Sequence, residues 1–135
     1  MIYKVIDIEG VGPAYAEKLN AAGIESAKQY LEIAATPKGR QQIADQTGIS
    51  PALILKWANH CDLYRVKGIG PQFAELLEAS GVDTVKELRH RKPENLAETM
   101  VKVNEQKKLV RRVPTAGELR RMIDQAATLP PVMTY

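Results

Sequence analysis

The stretch Ile8-Glu9-Gly10-Val11-Gly12-Pro13 returns 58 residues later as Val66-Lys67-Gly68-Ile69-Gly70-Pro71. The match continues without a gap: Ala16-Glu17, Leu19 and Gly23-Ile24-Glu25-Ser26 in the first copy correspond to Ala74-Glu75, Leu77 and Gly81-Val82-Asp83-Thr84 in the second. Both glycines, the proline, the alanine, the acid and the closing glycine agree at one offset, so one supersecondary unit is present twice.

Each copy punctuates its own helices. Pro13 and Pro71 suit a first helical turn, where a missing N–H costs nothing, and Gly23 and Gly81 stand where a left-handed cap needs a residue without Cβ. Helices are expected at about 13–22 and 71–80, followed by 26–35, capped by Ser26, and 84–90, where Thr84 and Glu87 make a capping box. Third helices are expected near 38–47, closed by Gly48, and near 93–103, opened by Pro93. A fourth follows Ser50-Pro51 and carries Leu53, Ile54, Trp57, Ala58 and Cys61. Its counterpart starts at Thr115, boxed by Glu118, and carries Leu119, Met122, Ile123 and Ala126. Between its last two helices the second copy inserts Val101–Val113.

Only Ile2–Ile8 alternates like a strand. The expected fold is therefore all-α, with two pseudo-repeated units of about four helices each packed as one compact domain. Residues 1–62 form the first repeat and 63–129 the second; 130–135 are a C-terminal tail, because Pro130-Pro131 cannot continue a helix.

At 135 residues, 44% apolar and 26% charged, the composition suits one globular domain. No apolar run approaches the ~18 residues that span a bilayer, and Met1–Gly10 is acidic where a signal peptide is basic, so a cytoplasmic protein with no membrane partner is expected. The lone Cys61 excludes an intrachain disulfide and a multi-thiolate metal site. No Walker loop, paired-His motif or nucleophile with a base is present, and both Gly-x-Gly copies lack the strand and third glycine of a dinucleotide site. No catalytic residue, metal or cofactor is expected. The formal charge of +3 is uneven: residues 1–62 hold six bases against seven acids, and the remainder thirteen against nine.

A helix entered through Gly-x-Gly presents first-turn N–H groups with the positive end of the helix dipole behind them, which suits a phosphate. Val11 and Ile69 are expected to face inward and lock the turn. The pattern apolar-x-Gly-apolar-Gly-x-x-x-Ala-x-x-apolar, present twice, resembles the helix-hairpin-helix superfamily of DNA repair, recombination and replication proteins. The whole chain, with Trp57 and Arg111-Arg112-Val113-Pro114, is similar to an uncharacterised bacterial family of tandem helix-hairpin-helix proteins without assigned activity. Leu77–Leu96 also resembles the C-terminal domain of the RNA polymerase alpha subunit, which contacts DNA and regulators.

The resemblance implies sequence-independent contact with the DNA backbone through N–H groups around Gly10, Gly12, Gly68 and Gly70, helped by Lys18 and Lys67, and the low aromatic content favours duplex or branched DNA over stacking on single strands. Where such hairpins usually place Lys, Arg or Thr, this chain has Ala14 and Tyr15, then Gln72 and Phe73, and Glu9 opposes phosphate. Tight non-specific binders make about 6–10 phosphate contacts. Either the basic cluster Lys102, Lys107, Lys108, Arg111 and Arg112 joins the turns, or affinity is expected to be weak at physiological salt. The alternative is a protein partner, with the chain acting as an interaction or dimerisation module in which the glycines only let helices approach. Tyr15, Phe73 and Trp57 are expected to pack in or against the core.

Overall fold

The computed structural model describes residues 1–135 and is all-α: eight helices follow a 3-10 turn at Val5–Asp7. They are α1 (Gly12–Ala21), α2 (Ala27–Ala34), α3 (Pro37–Thr47), α4 (Pro51–Leu63), α5 (Pro71–Ala79), α6 (Val85–Leu88), α7 (Pro93–Lys107) and α8 (Ala116–Thr128). The strand-like lead-in makes one bridge, Lys4 to Ser26, before it turns. Val5 and Ile8 are its buried residues, whereas Ile2 and Ile6 are exposed. That spacing of three fits a 3-10 turn better than alternation along a strand.

The chain divides into two compact units, Met1–Asp62 with Val132–Tyr135, and Leu63–Pro131. In the first, α1 and α2 pack on α3 around Val11, Leu19, Ile24, Tyr30 and Ile43. Gly23, at φ +86°, closes α1, and the Ile24 N–H reaches back to the Leu19 carbonyl at 2.9 Å. Ser26 and Gln29 form a reciprocal capping box on α2. The buried Tyr30 hydroxyl donates to the Ile54 carbonyl at 2.7 Å, tying α2 to α4, and burial pushes its pKa well up. Gly39 lies where α3 meets the end of α2, so close that a Cβ there would run into the Ile33 carbonyl.

The residues after Pro131 return to the first unit. Arg40 donates to the Ala34 carbonyl at 2.9 Å and to the Thr134 carbonyl at 2.7 Å, and its guanidinium lies over the Tyr135 ring. The Thr134 N–H adds a bond to the Ala35 carbonyl at 2.8 Å. Prolines end the helical run, and Arg40, the Ala35 carbonyl and Asn59 Oδ1, which accepts from the Tyr135 hydroxyl at 3.0 Å, then hold the C-terminal residues in place.

The second unit repeats the pattern with changes. Gly81, at φ +93°, closes α5, and the Val82 N–H bonds the Leu77 carbonyl at 2.8 Å, matching the first copy. Thr84 caps α6 through the Glu87 N–H, yet the expected box is only half made. The Glu87 carboxylate is taken by Arg91 at 2.8 Å, and Arg91 also donates to the Gly81 carbonyl at 2.7 Å. α6 is a single turn: Arg89 keeps helical backbone, the His90 and Arg91 N–H groups bond the Glu87 and Leu88 carbonyls three residues back, and Lys92 is extended ahead of Pro93. α7 runs to Lys107, beyond the expected end near 103, so the first half of the supposed insertion is helix.

Gly39→Ala is expected to lower stability by about 1–3 kcal/mol, because the added methyl displaces a packed carbonyl. Gly117→Ala meets only Thr115 Oγ1 at 3.8 Å within α8 and is expected to be neutral or stabilising by up to about 1 kcal/mol. Urea unfolding of the two variants checks the contrast.

Candidate nucleic-acid interface

Both Gly-x-Gly turns close in the same way. The Val11 N–H donates to the Ile8 carbonyl at 3.1 Å, and the Ile69 N–H to the Val66 carbonyl at 3.2 Å. All four apolar side chains are buried, with Val11 and Ile69 facing inward. The first glycine of each turn is left-handed, Gly10 at φ +87° and Gly68 at φ +94°, where a side chain would strain the backbone. The second glycines differ. Gly12 is also left-handed, at φ +66°, whereas Gly70 is extended at φ −106° and caps α5, a conformation open to any residue.

Around the first turn the partners are aromatic. A Cβ on Gly10 would lie 3.8 Å from the indole Nε1 of Trp57, which is fully buried. The Tyr15 ring meets Trp57 edge-on at 5.3 Å, and Lys18 Nζ lies 5.9 Å over the Tyr15 ring, within cation–π reach. Lys18 thus sits on the helix after the turn, while Glu9 sits within the turn.

Around the second turn the surroundings are polar. The Lys67 N–H donates to Gln125 Oε1 of α8 at 2.9 Å, and a Cβ on Gly68 would lie 3.2 Å from Met122 Cε. Lys67, Glu118, Arg121, Met122 and Gln125 line an open groove beside the turn. Arg121 was not among the sequence candidates. Its signal lay in helical spacing, since Glu118, Met122 and Gln125 fall on the same side of α8.

The basic cluster separates into paired and unpaired members. Lys102 pairs with Glu98 at 3.3 Å one turn earlier on α7. Arg112 grips both oxygens of Glu118, at 2.7 and 2.9 Å, and Glu118 also completes the capping box with Thr115. These two cations are therefore partly neutralised. Lys107 ends α7, Lys108 caps it in a left-handed conformation at φ 51°, and Arg111 lies in the loop; all three are exposed and none has an acid within ion-pair distance. Asn104 orders this loop, which sequence reading missed. Its Oδ1 accepts from the Leu109 and Val110 N–H groups at 2.9 and 3.0 Å, and its Nδ2 donates to the Val110 carbonyl at 3.0 Å.

His60, Cys61 and Asp62 are buried on α4, and burial pushes the Cys61 thiol far up, keeping it protonated. No helix is long and apolar enough to cross a membrane.

A family model described as "Domain of unknown function (DUF4332)" matches residues 9–129. No curated protein and no solved structure matches the chain.

The Arg112 hydrogen bonds, then the Thr115 N–H, hold the Glu118 carboxyl at about 2, below its ordinary 4.5. A carboxylate depressed on folding stabilises fully above the ordinary value and loses that contribution as pH falls toward the folded one. Amide exchange over residues 109–116 is thus expected to accelerate as pH drops from 4.5 toward 2, beyond the intrinsic rate change. Glu118→Gln should remove that pH dependence. Asn104→Ala, which deletes three hydrogen bonds, should speed exchange at Leu109 and Val110 at all pH values, at a cost of about 1–3 kcal/mol to local stability.

Proposed function

We infer that this chain, which belongs to the "Domain of unknown function (DUF4332)" family, is a non-catalytic module that binds the backbone of duplex or branched DNA without reading base sequence. The carrying observation is the second unit's combination of an exposed Gly68 turn, Lys67 and Arg121 in the adjacent groove, and the unpaired Lys107, Lys108 and Arg111. Phosphate oxygens are acceptors only, and this surface supplies cationic donors together with first-turn N–H groups of α5. With 5% aromatic residues, several of them packed inside, stacking on single-stranded bases is disfavoured.

Five such cations set the scale. At roughly 0.9 in log–log salt slope per neutralised phosphate, the slope is about −4 to −5, and raising salt from ~50 to ~200 mM weakens binding by on the order of 10²–10³. Affinity at physiological salt is accordingly modest.

A second reading, docking of a protein partner, draws on the first unit, where Ile6 borders an open groove with Lys4, Asn20 and Glu25, and Ile2 is exposed. Anisotropy with a labelled duplex of arbitrary sequence separates the two. Binding at ~50 mM salt with the slope above supports the DNA reading, and Lys107→Glu with Lys108→Glu should flatten that slope by about 2. Absence of binding at ~50 mM salt overturns it in favour of the protein partner.

A further inference from the structure

The two turns are copies in sequence and differ in what surrounds them. Trp57 of α4 and Met122 of α8 occupy the same place, each beside the first glycine of its turn. Aligning α4 and α8 on that pair matches Leu53 with Glu118, Lys56 with Arg121, and His60 with Gln125. In the turns themselves Glu9 matches Lys67. Three of these four changes exchange an apolar, buried or acidic residue for a polar group lining the second unit's groove. Lys56 is half-buried, whereas Arg121 is exposed.

We propose that the groove formed by Lys67, Arg121 and Gln125 is the principal phosphate seat, and that the first turn serves as an internal clasp. This deepens the DNA reading and rests on it. Arg121 and Lys67 bring two cations, and neither has an acid within ion-pair distance. Gln125 uses its Oε1 to hold the Lys67 N–H at 2.9 Å, which leaves its Nε2 as a donor toward the groove. Glu118 is the one acid lining this groove, and its charge is already matched by Arg112 at 2.7 Å. Met122 Cε fills the side of Gly68 where a Cβ would lie, while Gly68 itself stays exposed, so a phosphate oxygen can approach its backbone from solvent. At the first turn an incoming phosphate meets Glu9 instead, the Tyr15 ring packs on Trp57, and the counterparts of Arg121 and Gln125 are the half-buried Lys56 and the buried His60.

Two measurements on the full chain test this. Arg121→Glu is expected to weaken binding to a random-sequence duplex at least tenfold at ~50 mM salt, whereas Lys28→Glu, an equal charge change on the exposed face of α2, should alter it less than threefold. In a ¹⁵N titration of the unaltered chain with the same duplex, the Gly68 and Gly70 amides and the Gln125 side-chain amide should shift while Gly10 and Gly12 stay in place. Binding that persists in Arg121→Glu as in Lys28→Glu, or shifts centred on Gly10 and Gly12, overturns the seat while leaving the DNA reading intact. If the unaltered chain does not bind, the DNA reading falls and this seat with it.

Discussion

The structure depends on a turn that brings two apolar residues, three apart, into the core at once. The bond from Val11 to Ile8, and from Ile69 to Val66, closes the turn, and the turn as built needs a left-handed residue just before the donor. Gly10 and Gly68 meet this requirement without strain. From there the next helix has a defined start and its inward face is set. Leu19 and Leu77 then fall into the core, and the glycine caps after α1 and α5 reverse the chain with the same backbone bond in each copy.

Once this frame is in place, the residue beside the first glycine decides what each copy is suited for. Trp57 is bulky, buried and in contact with Tyr15, so the first turn is closed in by aromatic packing. Met122 is slimmer and flexible, and leaves a groove edged by polar side chains of α8. The charge divides in the same direction. Bases exceed acids only in the second half of the chain, and there the pairing of Arg112 with Glu118 and of Lys102 with Glu98 thins a run of five cations to three.

Helix starts and stops were legible because their causes are local: a proline at the first turn, a glycine at the cap, a hydroxyl three residues ahead of the N–H it accepts from. Where the reading fell short, a side chain chose among competing partners. Glu87 was placed in a capping box with Thr84 and instead serves Arg91, whose guanidinium brings a full opposite charge and two N–H donors to one carboxylate oxygen. The lead-in alternates like a strand but lacks a partner strand, so it turns and buries Val5 with Ile8. The 101–113 segment looked like an insertion because it breaks the repeat; nothing in residues 94–107 stops a helix, and α7 continues through it until Asn104 folds the next residues back.

Residue order alone was enough to specify an all-α chain built from a duplicated glycine-turn unit, the succession of its helices and the concentration of positive charge in the second half. These features arise from backbone conformations and periodicities that act over a few residues. Three others were settled by folding: Arg40 holds residues 134 and 135, Arg112 is committed to Glu118, and Arg121 and Gln125 line a groove beside Gly68. Those are choices between partners separated along the chain, and their outcome rests on which charges and donors the packed helices bring within bonding distance.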